Sequence, residues 1–432
     1  MTLQTHPASV DTETLDGAVL TPEQLAPLME WARGRKLCDY KVSTRFFDFE
    51  AYGKPFTQAA ILFEPETPLI VDGRKVVVIG SEGGSDNGRG FLKDNKGREG
   101  VGPYLARRGI TFMTLCRLGR WNFFSDDELG SWDNVPLETR MPIFHRGQKG
   151  FWGSDQFVVT DYEAISSHTG SEQCRVAKPG SEFQKHLAAL TPVTSMRGFE
   201  TAMASLVDPT DKGTLLLYYG FSTGGTYLWA LANRTPPDGI LGYGTASLPV
   251  SQYAFRSAAG NYRSVYEQSM FRVRQRGLPD FTYFNTEVPE AERLAMWEEA
   301  SKAPRFKNHE DTFMHFNIAA QTEALLRLWN DDFMPAEDRE KGLVHLLTEN
   351  LSLMFPGDRL GSVAVFELYG TKDEVLPPKS SRIAEGVMSP YCRKYSQAYL
   401  EGYHHSISAD HVEAFGALWL RAIYDGYFNK TN

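Results

Sequence analysis

The sequence predicts an α/β protein: a doubly wound, mostly parallel sheet with helices on both faces. Three observations carry that reading. Short unbroken apolar runs such as Lys75–Gly80 (KVVVIG) and Gly213–Gly220 (GTLLLYYG) suit strands covered on both faces. Stretches with helical periodicity, at 100–108, 194–206 and 223–233, alternate with them. Glycines gather where strands give way, at Gly80-Ser81-Glu82-Gly83-Gly84-Ser85 and at Gly220-Phe221-Ser222-Thr223-Gly224-Gly225.

In chain order, residues 1–20 are polar and read as a flexible N-terminal arm. Thr21-Pro22-Glu23-Gln24 then supplies a hydroxyl cap, a first-turn proline and a glutamine three residues on, so a helix is expected to about Lys36. KVSTRFFDF and FTQAAILFE flank Glu50-Ala51-Tyr52-Gly53-Lys54-Pro55 and predict a hairpin at the antiparallel edge of the sheet. KVVVIG (75–80), the helical stretch 100–108 and GITFMTLCRL (109–118) form a right-handed βαβ unit. The alternation continues through helix 194–206, strand 213–220, helix 223–233 and strand GILGYGTA (239–246). It resumes at SVAVFELYG (362–370) and YSQAYLEG (395–402), and ends in an amphipathic helix from Ala409 to Tyr424 with Ser408 as its cap.

Two stretches interrupt this order. Residues 121–190, rich in glycine and aromatics, read as a partly irregular insertion. Residues 249–360 hold several helical segments and read as a helical cap, or lid, set on one edge of the sheet. The core is thus expected over 21–248 and 361–432.

Composition narrows the function. With 42% hydrophobic residues the 432-residue chain can bury a large core, which excludes a disordered protein. A net charge of −9, with both signs interspersed, argues against a nucleic-acid surface. The first residues lack a basic then apolar leader and no apolar run reaches membrane length, so neither export nor membrane insertion is expected. Cys38, Cys116, Cys174 and Cys392 are far apart and form no CxxC pair, which favours the cytoplasm.

The chemistry is carried by GFSTGG. A serine on a tight strand-to-helix bend has its hydroxyl held out of the sheet at a helix N-terminus, and the neighbours two before and two after must be tiny, as Gly220 and Gly224 are. A serine hydroxyl needs a base, and the base an orienting acid. Asp373, just after the strand ending near Tyr369, is the candidate acid, ahead of Glu374. His404 and His405, between the last strand and the last helix, are the candidate bases.

On GFSTGG, GTKDEVLPP and EGYHHS the chain resembles the α/β-hydrolase superfamily, over residues from about 40 to 427. The resemblance implies the α/β-hydrolase fold, with an eight-stranded, mostly parallel sheet whose second strand is antiparallel, and no cofactor. It implies Ser222 as nucleophile, His405 as base and Asp373 as its partner. It further implies an oxyanion hole from the backbone of Thr223 and of the 80–85 loop, where Gly83 is favoured. Members often have a His-Gly pair in that loop, and this chain has Ser-Glu-Gly-Gly instead. Glu82 and His404 then stand close enough to touch substrate.

The function expected is a serine hydrolase cleaving a small or medium carboxylic ester through an acyl-enzyme. Amide, thioester or carbon–carbon cleavage and acyl transfer are compatible with the same residues, and a hydrolase-like ligand-binding protein is the reading from another class. A small-molecule substrate is the expected partner, with no nucleic acid and no membrane, and a homo-oligomer is left open. No metal is expected: His309-Glu310-Asp311 with His315 reads as a polar helix start, and Gly242-Tyr243-Gly244 as a strand end, not a nucleotide loop.

Overall fold

The computed structural model describes residues 15–83, 89–94, 96–116, 162–166, 173–177, 189, 191–208, 210–222, 224–245, 325–326, 328–330, 334–354, 356–373, 376 and 378–429. β1 (Ala18–Leu20) leads into α1 (Pro22–Arg33). There Thr21 Oγ1 accepts from the Gln24 N–H and Gln24 Oε1 accepts from the Thr21 N–H, which is the expected capping box. β2 (Tyr40–Ala51) and β3 (Lys54–Pro65) make the expected hairpin, joined at Tyr52 and Gly53, both of which take positive φ (50° and 68°) as a two-residue turn between right-twisted strands demands. The short β4 (Ile70–Val71) precedes β5 (Arg74–Ser81), α2 (Val101–Ala106) and β6 (Thr111–Leu115). Next come β7 (Tyr162–Ser166), β8 (Gln173–Ala177) and α3 (Pro192–Ala204). The centre of the chain supplies β9 (Thr214–Ser222), α4 (Gly224–Arg234) and β10 (Gly239–Thr245). The last part holds α5 (Ala336–Lys341), α6 (Leu343–Leu351), β11 (Ala364–Gly370), α7 (Pro378–Met388), β12 (Lys394–Leu400) and α8 (Ala409–Tyr424).

The main sheet runs β1-β12-β11-β10-β9-β5-β6-β3-β2. Neighbours are parallel except at β3, which is antiparallel to both β2 and β6. All eight expected strands are present, with the antiparallel one second. Two short strands are added. β4 folds back on β5. β1 lies inside the stretch expected to be a loose arm, and it pairs with β12 from Ala18↔Ala398 to Leu20↔Leu400. The physical reason is apolar anchoring: Leu15 and Leu20 are buried in the core, so the Ala18–Leu20 backbone covers a sheet edge that would otherwise be open.

The unbroken apolar runs follow from burial on both faces. In β5, Val76 and Val78 join the layer containing α1, α2 and α8, whereas Val77 and Ile79 join the layer containing α3 and α4. β9 divides likewise, with Leu215, Leu217 and Tyr219 on one side and Leu216 and Tyr218 on the other. Within the insertion at 121–190, β7 and β8 pair as an antiparallel hairpin in a separate two-stranded sheet. Residues 246–324, which hold most of the expected cap, lie outside the described residues, as do His309, His315, Thr223 and Glu374. Every parallel strand of the main sheet presents its C-terminal end to the same rim, and the candidate residues collect there.

Candidate active site

Ser222 ends β9, and its backbone is left-handed (φ 50°), a conformation that costs a non-glycine residue roughly 1 kcal/mol or more. Its neighbours explain how the chain tolerates it. A Cβ on Gly220 would run into the backbone of Gly225, and one on Gly224 into the carbonyl of Ser81, so both glycines are needed for β9, α4 and β5 to approach. Gly83 closes the other side: a Cβ there would lie 2.5 Å from Cβ of Ser222. Serine, bend, α4 N-terminus and the end of β5 therefore form one packed unit. Ser222 itself is 8% exposed.

Asp373 and His405 are brought together by the ends of β11 and β12. Asp373 is fully buried. Its Oδ1 accepts the Leu376 N–H at 2.6 Å, and its Oδ2 lies 2.9 Å from His405 Nδ1. With the carboxylate accepting, Nδ1 is the donor of this pair, and in the neutral imidazole Nε2 then keeps its lone pair. Phe221, the residue before Ser222, stacks on the imidazole with centroids 4.7 Å apart and planes at 23°. His404 is not paired with the acid: its Nδ1 lies 3.2 Å from the Lys372 carbonyl.

The β12–α8 loop is pinned from several elements. Lys372 N–H donates to the Tyr403 carbonyl at 2.9 Å, and the Tyr243 hydroxyl donates to the His404 carbonyl at 2.6 Å. His411, on α8, accepts the His404 N–H through Nε2 at 3.3 Å and holds Ser408 Oγ 2.6 Å from Nδ1. Nε2 accepts, so Nδ1 is the protonated nitrogen and donates to Ser408. Burial, with the neighbouring His404 next in weight, pulls His411 from its usual range down to about 4 and keeps it neutral. Ser408 was the expected helix cap, but its hydroxyl is taken by His411. The α8 N-terminus is served by Asp94 Oδ2, which accepts the Ala409 N–H at 3.1 Å. The helix thus holds that hydroxyl through the side chain of its own His411 and not through its free N–H groups.

β10 makes the space for the pair. Its register with β9 shifts between Tyr243 and Thr245, and Gly244 at that bulge has φ 55°. A Cβ at 244 would sit 3.0 Å from His405 Nδ1 and 3.2 Å from Asp373 Oδ2. Thr245 ties the rim together by donating to the Gly220 carbonyl at 2.7 Å, while its own carbonyl faces the Tyr369 hydroxyl at 3.0 Å. The same hydroxyl lies 2.9 Å from Glu367 Oε2. That carboxylate oxygen also accepts from the Tyr395 hydroxyl at 2.5 Å and from Gln397 Nε2 at 3.4 Å, donors that partly offset the burial that raises Glu367 above its ordinary value.

Glu82, expected beside the site, is 2% exposed, and its carboxyl lies against Gly90, where a Cβ would collide with Oε1. It presents no charge to solvent. Gly244, Phe221 and His411 were not singled out from sequence as site residues. The positive φ of Gly244 was hidden in a GYG that strand propensity explains, and His411 looked like an ordinary polar residue of an amphipathic helix. Among the described residues no group of three or more His, Cys, Asp or Glu could hold a metal, and no helix is long and apolar enough to cross a membrane.

No family model matches the chain, and no curated protein matches it. Several solved structures are similar at low identity. One is a point mutant of an esterase (12% identity, 89% of this chain and 99% of that one, TM-score 0.42). Another is mouse alpha/beta hydrolase domain-containing protein 10 (11% identity, 89% and 99%, TM-score 0.40). A third is the Pyrococcus horikoshii acylaminoacyl peptidase (10% identity, 92% of this chain but 43% of that one, TM-score 0.39). The fold rests on the chain's own strand order, on the antiparallel β3 between the β2 edge and the parallel strands, and on the left-handed serine between β9 and α4. By these features this is a protein of the α/β-hydrolase fold.

Proposed function

We propose that the protein is a serine hydrolase that cleaves a small or medium carboxylic ester through an acyl-enzyme. The observation that carries this reading is the hydrogen bond of His405 Nδ1 to the buried Asp373, which leaves Nε2 as the basic nitrogen on the rim where Ser222 ends β9. Ser222 Oγ attacks the ester carbonyl as Nε2 takes its proton. The tetrahedral intermediate then expels the alcohol, which leaves with that proton. Water, giving its proton to the same nitrogen, attacks the acyl-enzyme; the bond to Ser222 Oγ then breaks, Oγ recovers the proton from Nε2 and the acid is released. Asp373 fixes the tautomer and balances the transient imidazolium.

The developing oxyanion takes hydrogen bonds from the backbone N–H groups of Thr223, the residue after the nucleophile in sequence, and of Gly83. Gly83 is suited to this role because its missing side chain lets the end of β5 close on Ser222. In this reading the bond cleaved belongs to a carboxylic ester, His404 borders the acyl site, and the residues from 249 onward shape substrate choice. The setting is the cytoplasm, where thiols such as those of Cys38, Cys116 and Cys392 stay reduced.

A screen of aryl and alkyl esters of graded acyl length tests the reading. The expected result is hydrolysis with an optimum at a short or medium acyl chain, and incorporation of one oxygen from labelled water into the acid. Turnover of amides or ketones with no ester cleavage, or acyl transfer to an added alcohol in place of hydrolysis, would contradict it.

A further inference from the structure

A cavity of about 310 Å3 lies far from Ser222, between the C-terminal end of α1, the loop before β4 and the loop before β6. These loops sit at the start of β5, and Ser222 packs at its end. Eight residues at about 3.3 Å each put the cavity roughly 25 Å from the bend. Arg35, Lys36 and Arg108 line it, and its walls contain no acidic residue.

Among the described residues no carboxylate forms an ion pair with the cations of this cavity. Arg33, Arg74, Arg98, Arg107, Arg234 and Arg421 all pair with carboxylates. Arg108 is accounted for differently. Its Nε donates to the Ala32 carbonyl at 3.3 Å and its Nη1 to the Tyr104 carbonyl at 3.0 Å, so it bridges the ends of α1 and α2, each worth roughly half a negative charge. Arg35 and Lys36 remain. Neither has an ion pair among the described residues. The Arg35 guanidinium is held over the rings of Trp31 (4.6 Å) and Tyr424 (5.6 Å), and its Nε is buried without an acceptor.

We propose that this cavity binds a small phosphate monoester, with Arg35 and Lys36 gripping the phosphate. Two surplus positive charges match a group that carries about −1.5 to −2 at neutral pH. A guanidinium already fixed by two rings loses little freedom when it takes phosphate oxygens in its fork, and Lys36 adds a mobile point charge at the mouth. Pro68, Leu69 and the Tyr424 ring give the organic remainder an apolar wall, and the volume sits at the lower end of the range for small-molecule sites.

Calorimetric titration of the full chain with phenyl phosphate and with inorganic phosphate, at matched ionic strength, tests this. Phenyl phosphate is expected to bind one site with a Kd tighter than about 1 mM, and inorganic phosphate several-fold more weakly. Arg35→Gln should weaken phenyl phosphate roughly tenfold or more, and Lys36→Gln, at an exposed position that does not bear on folding, several-fold. Ser222→Ala, which removes the proposed nucleophile, should leave the Kd for phenyl phosphate unchanged. The proposal is overturned if phenyl phosphate shows no saturable binding, if it binds no tighter than phosphate alone, if Lys36→Gln and Arg35→Gln leave it unchanged, or if Ser222→Ala abolishes it.

Discussion

Gly244 and His405 meet so closely that a single carbon added to the glycine would lie 3.0 Å from the imidazole Nδ1. The bulge that ends β10 is therefore part of the site, since it clears the volume in which His405 and Asp373 pair. Gly244→Ala adds that carbon where φ is 55°, so it is strained as well as crowded. The expected outcome is a loss of about 1–3 kcal/mol in urea unfolding and a fall in ester hydrolysis of more than tenfold. Wild-type rates in the variant would mean the pair has room to spare.

Asp373→Asn keeps the volume and removes the charge. The amide presents either an oxygen or an N–H to Nδ1, and the carboxylate's command of the tautomer is lost. Ester turnover should drop by about a thousandfold or more with KM little changed, as steady-state kinetics would read.

His411 makes a prediction about pH. Its ordinary value of 6.5 falls to about 4 on folding, so between those values the unfolded chain binds a proton that the folded chain refuses. Stability from this group is full above about 6.5 and is lost as the pH falls towards 4, by about 3 kcal/mol in all. The groups facing it are His404, Asp373, Asp410 and Arg98. In His411→Gln the amide oxygen still accepts the His404 N–H, and nothing titrates. Urea midpoints across that window should slope less with pH in His411→Gln than in the wild type. His411→Leu leaves the His404 N–H without its acceptor, at a cost of about 1–3 kcal/mol, and should lower turnover with KM unchanged. Equal activity in the two variants would make His411 mere filling.

Glu385 carries the opposite sign. Burial first, then the nearby Asp16, raise it from 4.5 to about 7. The folded chain holds this proton after the unfolded chain has released it, so stability is full below about 4.5 and falls as the pH rises through 7. The group is only half-buried, and solvent screening reduces the effect to about 1 kcal/mol. Glu385→Gln imitates the protonated form and should melt higher than the wild type at pH 8, with the difference closing in acid.

Much of this arrangement was legible in the sequence because it rests on local rules. The capping box at Thr21, the hairpin, the unbroken runs of β5 and β9 and the small residues around Ser222 each follow from backbone sterics or from burial on two faces. Of the histidine pair, His405 came from the resemblance alone, and nothing in the local pattern of EGYHHS distinguishes it from His404. The missed features depend on partners distant in sequence. Ala18–Leu20 becomes a strand only because β12 has an open edge, and Ser408 loses its capping role only because His411 lies one turn along α8. Gly244 matters only because the β11 and β12 loops close over it.

The central claim is that Ser222 is a nucleophile activated by His405, and covalent labelling by a fluorophosphonate tests it most directly. Wild-type protein should take up one probe, mapped by mass spectrometry to Ser222. Ser222→Ala should take up none, and His405→Ala should react far more slowly. A folded wild-type chain that stays unlabelled, or one labelled at another residue, would contradict the account.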